Sequence, residues 1–285
     1  MGKRGVVVLY SGGTDSTLTA ALMAEQFEKI YLVTYNRFGF FSISNTELNF
    51  QKLKSKFSKI EFTHQTIGID KLSKYVFYEH YFRNLVKHRF FLLSTCGLCK
   101  LTMHIRTIVF CLENKIYNVC DGANKGMRLF PAQMKRVIEE TKKMYAKFGI
   151  SYMNPVFDFE GSQDLEFIDR LRLERVLPAQ DEEEDDSGPD QKKMTAGCKL
   201  FDLGLMPSEN IKGTKLDRKM QPRCFQFILF NIFILWYYMH KHTYEQYEET
   251  TFKFYKDKID FFTNLLEEYT KKGQKSKIFK LVRAK

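Results

Sequence analysis

The stretch Val6-Val7-Val8-Leu9-Tyr10-Ser11-Gly12-Gly13-Thr14-Asp15-Ser16 decides the fold of this chain. Its first five residues are apolar and mostly β-branched, as in a buried strand of a parallel sheet, and a helical pattern follows from Thr17 to Phe27. Two adjacent glycines let the backbone turn sharply between them. The free amides and the dipole of the following helix attract an anion, and nearby hydroxyls add donors. The stretch therefore predicts a strand, a phosphate-binding loop and a helix.

The loop lacks the two commonest phosphate-binding patterns, because no lysine follows the glycines and G-x-G-x-x-G is absent. The hexapeptide Ser11 to Ser16 resembles instead the S-G-G-x-D-S signature of the PP-loop ATP pyrophosphatases. The resemblance implies that ATP is cleaved to AMP and pyrophosphate while an acceptor oxygen is adenylated. It also implies that Asp15 and Ser16 serve catalysis, with Asp15 helping Mg²⁺ to bridge the phosphates. The residues implied to hold the pyrophosphate are Ser11, Gly12, Gly13, Thr14, Asp15 and Ser16.

Further strands follow at the spacing of βαβ units. Lys29 to Tyr35 is a second strand, and the segments 59–66 and 116–120 are two more, with helical patterns between them. The predicted fold class is α/β: a Rossmann-like parallel sheet of the adenine nucleotide alpha hydrolase type with helices on both faces. Ligands of such sheets bind at the carboxyl ends of the strands. In the resembled family the second strand end meets adenine, which implies backbone contacts from Val33 and Thr34.

A C-x-x-C pair, Cys96 and Cys99, begins a predicted helix. Two thiolates one turn apart can share a metal, and the helix N-terminus favours the thiolate form. The fourth strand then ends in Asp121-Gly122-Ala123-Asn124-Lys125. PP-loop enzymes that thiolate tRNA are similar in this order of pair, helix, strand and glycine turn. The similarity implies that Gly122 admits the adenosine and that Asn124 or Lys125 approaches the ribose or phosphates.

The six cysteines divide by context. Cys111 and Cys120 lie among apolar residues, so we expect both to be structural. The other four can close a tetrahedral Zn²⁺ site or hold a [4Fe-4S] cluster, and a metal-free redox pair is a third possibility. Resemblance to iron-sulfur-dependent tRNA thiolases implies three stronger ligands and a fourth cysteine that is either a ligand or a sulfur carrier. These are Cys96, Cys99 and Cys198, with Cys224 as the fourth.

Composition and charge bear on partners and location. Lys and Arg number 45 against 34 Asp and Glu, a net charge of +11, which is consistent with a polyanionic partner such as tRNA. The N-terminus leaves no room for a signal peptide, and Phe225 to Met239 is shorter than the ~20 residues of a spanning helix. We expect a cytoplasmic protein with no membrane contact, in which Phe225 to Met239 is a buried helix.

The sequence predicts two regions. Residues 1–160 are the ATP-binding domain, and residues 161–285 are a mainly helical region. The latter begins with a helix at 161–176, continues with an acidic loop at 177–193 and ends in a lysine-rich tail expected to be solvated or in contact with RNA.

The predicted function is adenylation followed by sulfur transfer to tRNA or a small molecule, with a sulfur donor protein as a possible partner and a homo-oligomer expected. An enzyme similar to the 7-cyano-7-deazaguanine synthases, which carry zinc, and a non-catalytic nucleotide-binding module are the alternatives.

Overall fold

A five-stranded parallel sheet forms the centre of the protein. The computed structural model describes residues 4–88, 95–159, 194–211 and 213–283. The sheet strands are β1 (Gly5–Leu9), β2 (Lys29–Asn36), β4 (Glu61–Gly68), β5 (Asn118–Asp121) and β6 (Ser151–Met153), in the spatial order β4-β2-β1-β5-β6. The order runs outward from β1 in both directions, as in doubly wound nucleotide-binding folds. A separate antiparallel pair joins β3 (Phe40–Phe41) to β7 (Arg223–Cys224). The predicted fold class is confirmed.

Helices cover both faces of the sheet. Those of the first 160 residues are α1 (Thr14–Met23), α2 (Thr46–Lys56), α3 (Asp70–Tyr78), α4 (Tyr81–His88), α5 (Thr95–Asn114) and α6 (Lys135–Ala146). Those that follow are α7 (Ala196–Asp202), α8 (Lys215–Met220), α9 (Phe225–Asn231), α10 (Tyr244–Lys272) and α11 (Lys277–Arg283).

The side chains of β1 point alternately into two hydrophobic cores, one on each face of the sheet. Val6 and Val8 point into a core shared with α1, α2 and α7, whereas Val7 and Leu9 point into a core shared with α3, α5, α6 and α10. This alternation is the period-two pattern of a strand that is buried on both faces. Helices after residue 194 contribute to both cores, so the C-terminal region completes the packing of the sheet.

Three expectations need correction. The helix expected from about Ile69 to Leu93 breaks at His80, whose φ is +52°, and continues as α4 to the last described residue of that stretch, His88. Phe225 to Met239 is helical, as α9 followed by a π-helical stretch over Ile232–Tyr238, but it is only partly buried. Ile232 is 56% exposed while Ile234 is fully buried, because apolar residues lie on all sides of the helix and only one side meets the core. The tail is ordered over α11, where Ile278 is buried.

Two predicted segments, the helix at 161–176 and the acidic loop at 177–193, lie outside the described residues. In the part of the chain that the structure describes, every helix is too short or too polar to cross a membrane.

Candidate functional site

The loop between β1 and α1 is held in shape by its own residues and by α2. Gly12 has a φ of +75°, a conformation that favours glycine. The Ser11 hydroxyl accepts a hydrogen bond from the Gly13 amide at 3.3 Å and lies 3.1 Å from the Ser16 hydroxyl. The Asn49 side chain donates to the Gly12 carbonyl at 2.7 Å. The residues implied to hold pyrophosphate therefore form one compact turn at the start of α1.

The glycine turn after β5 packs directly on that loop. A Cβ on Gly122 would lie 2.7 Å from the Ser16 backbone nitrogen, so only glycine allows this approach. Asn124 is fully buried; its side chain accepts from the Gly126 amide and donates to the Phe159 carbonyl. The side-chain amide of Asn124 therefore holds the turn in place. Lys125 is exposed. The structure brings Gly122 to the loop, and a ribose contact from Asn124 or Lys125 stays a prediction.

Val33 and Thr34 lie near the end of β2, beside the loop. The Val33 carbonyl accepts from the Tyr10 amide at 2.9 Å. The Thr34 hydroxyl donates to the Tyr10 carbonyl at 2.8 Å and lies 2.9 Å from His64 Nε2. These hydrogen bonds join β2 to Tyr10, the residue just before the loop. Contact of Val33 and Thr34 with adenine stays a prediction.

Two carboxylates at this sheet edge differ in their surroundings. Asp15, in the first turn of α1, has no hydrogen-bond or ion-pair partner for its carboxylate among the described residues, and burial raises its pKa to about 6. Asp121 is fully buried, and Lys100 Nζ lies 2.7 Å from its Oδ2. Burial alone raises the pKa of Asp121, but the positive charge of Lys100, together with hydrogen bonds from Lys100 and Tyr152, outweighs it and lowers that pKa to about 2. Of these two carboxylates, Asp15 is thus the one without a cationic partner among the described residues.

A second centre gathers three cysteines around Arg37, which follows β2. Arg37 Nε donates to Cys99 Sγ at 2.8 Å, and Nη2 donates to Cys224 Sγ at 3.4 Å. Cys96 lies one helical turn before Cys99 at the start of α5, and burial raises the pKa of its thiol. Burial also raises the pKa of Cys99, which Arg37 opposes.

Two packing contacts assemble this centre. Phe40 in β3 pairs with Cys224 in β7, which brings a residue from late in the chain beside Arg37. A Cβ on Gly97, inside the C-x-x-C, would lie 2.2 Å from the Tyr255 hydroxyl of α10. The start of α5 is therefore held closely by a helix of the C-terminal region.

Cys198 does not join the other three cysteines. It lies on α7, which packs against α1 on the opposite face of the sheet from α5. Its partners are the Thr195 hydroxyl at 3.2 Å and Glu209 Oε2 at 3.6 Å. Within the described ranges, no three His, Cys, Asp or Glu side chains are arranged to hold a metal ion. Cys111 and Cys120 are fully buried in the two cores, as expected.

The segment 220–224 links the phosphate loop to the cysteines; we call it the strap. Gln221 places its side-chain oxygen 2.6 Å from where a Cβ of Gly13 would lie, and the Met220 carbonyl lies 2.5 Å from a Cβ position on Gly12. Three residues beyond Gln221, Cys224 meets Arg37. The sequence predicts that Arg37 lies in a loop over the site, but not that it contacts cysteines. Gln221 was missed, and its only sequence signal is its position three residues before the candidate cysteine Cys224.

No family model matches the chain, and no curated protein matches it. Similar solved structures include a predicted subunit of tRNA methyltransferase from Methanocaldococcus jannaschii, with 18% identity and a TM-score of 0.39 over 58% of this chain and 74% of that one. Another is the U34-tRNA thiolase NcsA from Methanococcus maripaludis with its [4Fe-4S] cluster, with 16% identity and a TM-score of 0.37 over 61% of this chain and 59% of that one.

Proposed function

We propose that this chain is an ATP-dependent adenylating sulfurtransferase. The observation that carries the proposal is the strap, which contacts the phosphate loop through Gln221 and the cysteine centre through Cys224. A nucleotide bound at the loop and sulfur held at the cysteines would therefore share one edge of the sheet. Adenylation followed by attack of sulfur needs this proximity.

The loop supplies the first step. Backbone amides at the start of α1 receive the pyrophosphate, and Asp15 binds the Mg²⁺ that accompanies ATP. The acceptor oxygen attacks the α-phosphorus, pyrophosphate leaves, and the acceptor carbon becomes bonded to a good leaving group, AMP. Catalysis here is mostly positioning and charge stabilisation.

The cysteine centre supplies the second step. Cys96, Cys99 and Cys224 match the ligands of a [4Fe-4S] cluster in kind and number. In the described residues their side chains are not arranged to hold a metal ion, and Arg37 bonds to two of the three sulfurs, so they would have to rearrange to hold a cluster. Were such a cluster held there, it would supply an open iron for an exogenous sulfide. A four-cysteine zinc site fits less well, because Cys198 lies on the other face of the sheet. The protein residues shield the centre, hold its sulfur ligands and orient the adenylated acceptor.

The acceptor and the sulfur donor are proposed by class. The acceptor is a carbonyl of a tRNA nucleobase or of a small molecule, and the net charge of +11 suits tRNA. A sulfur donor protein is the proposed source of sulfide.

Product analysis tests the first step. ATP incubated with the protein, Mg²⁺ and bulk tRNA should yield AMP and pyrophosphate, and Asp15→Ala should abolish both. Asp202→Ala, which removes an exposed carboxylate on α7, is the matched control and should keep wild-type activity. Formation of ADP and phosphate would refute adenylation.

Metal analysis tests the second step. Protein purified without oxygen should contain iron and sulfide, and Cys224→Ser should lose both while Cys198→Ser retains them. Active protein that lacks iron would refute the cluster.

A further inference from the structure

The strands β3 and β7 form a short ribbon with two different faces. On its inner face Phe40 pairs with Cys224, and the Phe40 ring centre lies 4.4 Å from the Arg37 guanidinium carbon. The next pair along the ribbon is Phe41 with Arg223. Because side chains alternate along a strand, Phe41 and Arg223 form an outer face that points away from the cysteines.

Two phenylalanines of the ribbon are unusually exposed. Phe41 is 59% exposed, and Phe225, the residue after β7, is 52% exposed. The Phe225 amide donates to the Gly39 carbonyl at 3.0 Å, so the residue opposite Phe225 is a glycine, which has no side chain to cover the ring. Rings left in water forgo hydrophobic stabilisation, and a flat aromatic ligand stacked on them would restore it.

Cations lie close to these rings. Arg223 is exposed opposite Phe41. On α3, the exposed Lys74 places its ammonium 5.9 Å from the Phe38 ring centre, at the start of the ribbon. Neither cation takes part in an ion pair among the described residues. The carboxylate of Asp70, also on α3, accepts a hydrogen bond from the Phe38 amide.

We propose that the outer face of the ribbon is a stacking surface for unpaired bases of an RNA strand, next to the nucleotide that is the acceptor. The inference rests on the proposed function, because it takes the acceptor to be a nucleobase and not a free small molecule. Unstacked bases lie on aromatic rings and on arginine, while cations bind the phosphates between them. The unpaired cations and the net charge of +11 favour such a polyanion over a protein partner.

The test is fluorescence anisotropy of a labelled single-stranded oligouridine, titrated with the whole chain in the absence of ATP. Phe41→Ala and Phe225→Ala should each weaken binding at least about fivefold, because each removes the ring under one base. Phe201→Ala is the matched control, since it removes another exposed phenylalanine, on α7, and should bind as wild type does.

Two further variants separate stacking and charge from folding. Phe41→Leu keeps an apolar side chain without a ring and should weaken binding as Phe41→Ala does, whereas Phe41→Tyr should retain it. Where Phe41→Ala does not fold by circular dichroism, Phe41→Leu carries the same comparison. Arg223→Gln should reduce the slope of log affinity against log salt concentration by about 0.7, because one phosphate contact is lost.

The outcomes separate the inference from the function on which it rests. Weaker binding by Phe41→Ala and Phe225→Ala, with Phe201→Ala unchanged, supports the inference. Equal affinity in all three variants overturns it, as does an equal loss in Phe41→Tyr and Phe41→Ala. Wild-type protein that binds oligouridine no more tightly than a duplex RNA of the same length also overturns it. Wild-type protein that binds no RNA overturns it and leaves the rings to a protein partner. Release of AMP and pyrophosphate, measured in the same preparations, reports on adenylation independently, so failed RNA binding with intact adenylation leaves the proposed function with a small-molecule acceptor.

Discussion

The phosphate loop and the cysteine centre lie at one edge of the sheet but are built in different ways. The loop consists of neighbours in sequence, Ser11 to Ser16, that bond to one another. The cysteine centre draws Arg37, Cys96, Cys99 and Cys224 from three distant segments. A local site keeps its shape through short-range bonds, whereas a centre of distant parts depends on every element that brings those parts together. Changes to remote packing should therefore disturb the cysteines more than the loop.

The largest effect is expected where the two regions are joined. Lys100 follows Cys99, and its ammonium pairs with the buried carboxylate of Asp121 beside the Gly122 turn. Lys100→Met leaves that carboxylate buried and unpaired, so the free energy of unfolding should fall by about 3 to 5 kcal/mol. Urea unfolding of the variant and wild type at pH 7 measures this loss of unfolding free energy. The double variant Lys100→Met/Asp121→Asn should recover most of the loss; if it recovers none, the ion pair is not the cause.

Gly12→Ala should strain the loop and push away the strap. The residue has a φ of +75°, and the new Cβ would lie 2.5 Å from the Met220 carbonyl. We expect a loss of about 3 kcal/mol, from backbone strain plus the clash. Gly213→Ala is the matched control, because Gly213 also has a φ of +75° but open space around its Cβ position, and it should lose about 1 kcal/mol. Equal losses would show that the strap does not press on the loop.

Asp15→Asn should stabilise the protein while it removes activity. Burial raises the folded-state pKa of Asp15 to about 6, above its unfolded value of about 3.9, so the folded state binds more protons between those values. Stability contributed by this group is present below pH 4 and is lost as the pH rises to about 6, by roughly 2 to 3 kcal/mol. At pH 7 Asp15→Asn should unfold at a higher urea concentration than wild type, and at pH 4 the two should coincide. A variant less stable at pH 7 would contradict this.

Gly97→Ala tests how far the cysteine centre depends on α10. Alanine is the better helix former by about 1 kcal/mol, yet the Cβ would meet the Tyr255 ring, so a net loss of about 1 to 2 kcal/mol is expected. Alkylation of Cys96 should become faster in this variant. Tyr255→Leu should relieve the clash, and additive losses in the double variant would show that the two residues do not interact.

The sequence predicted what is local and periodic. The apolar runs of β1 and β2 gave the sheet, and Ser11 to Ser16 gave the loop, because both are written in contiguous residues. The cysteine centre was predicted in part: Cys224 was named as a candidate beside the C-x-x-C, but Cys198 was ranked above it. Distance along the chain from Cys99 favoured Cys198, but spatial neighbours are decided by β3 and β7, a pairing of two residues each that carries no recognisable pattern.

The strap also fixes a distance. Gln221 on the phosphate loop and Cys224 at the cysteine centre are three positions apart, and a fully extended chain covers about 3.5 Å per residue. The Cα atoms of Gln221 and Cys224 are therefore held within about 11 Å of each other. An activated acceptor spanning that gap would not have to leave one site to reach the other, so a labile adenylate would have little opportunity to meet water.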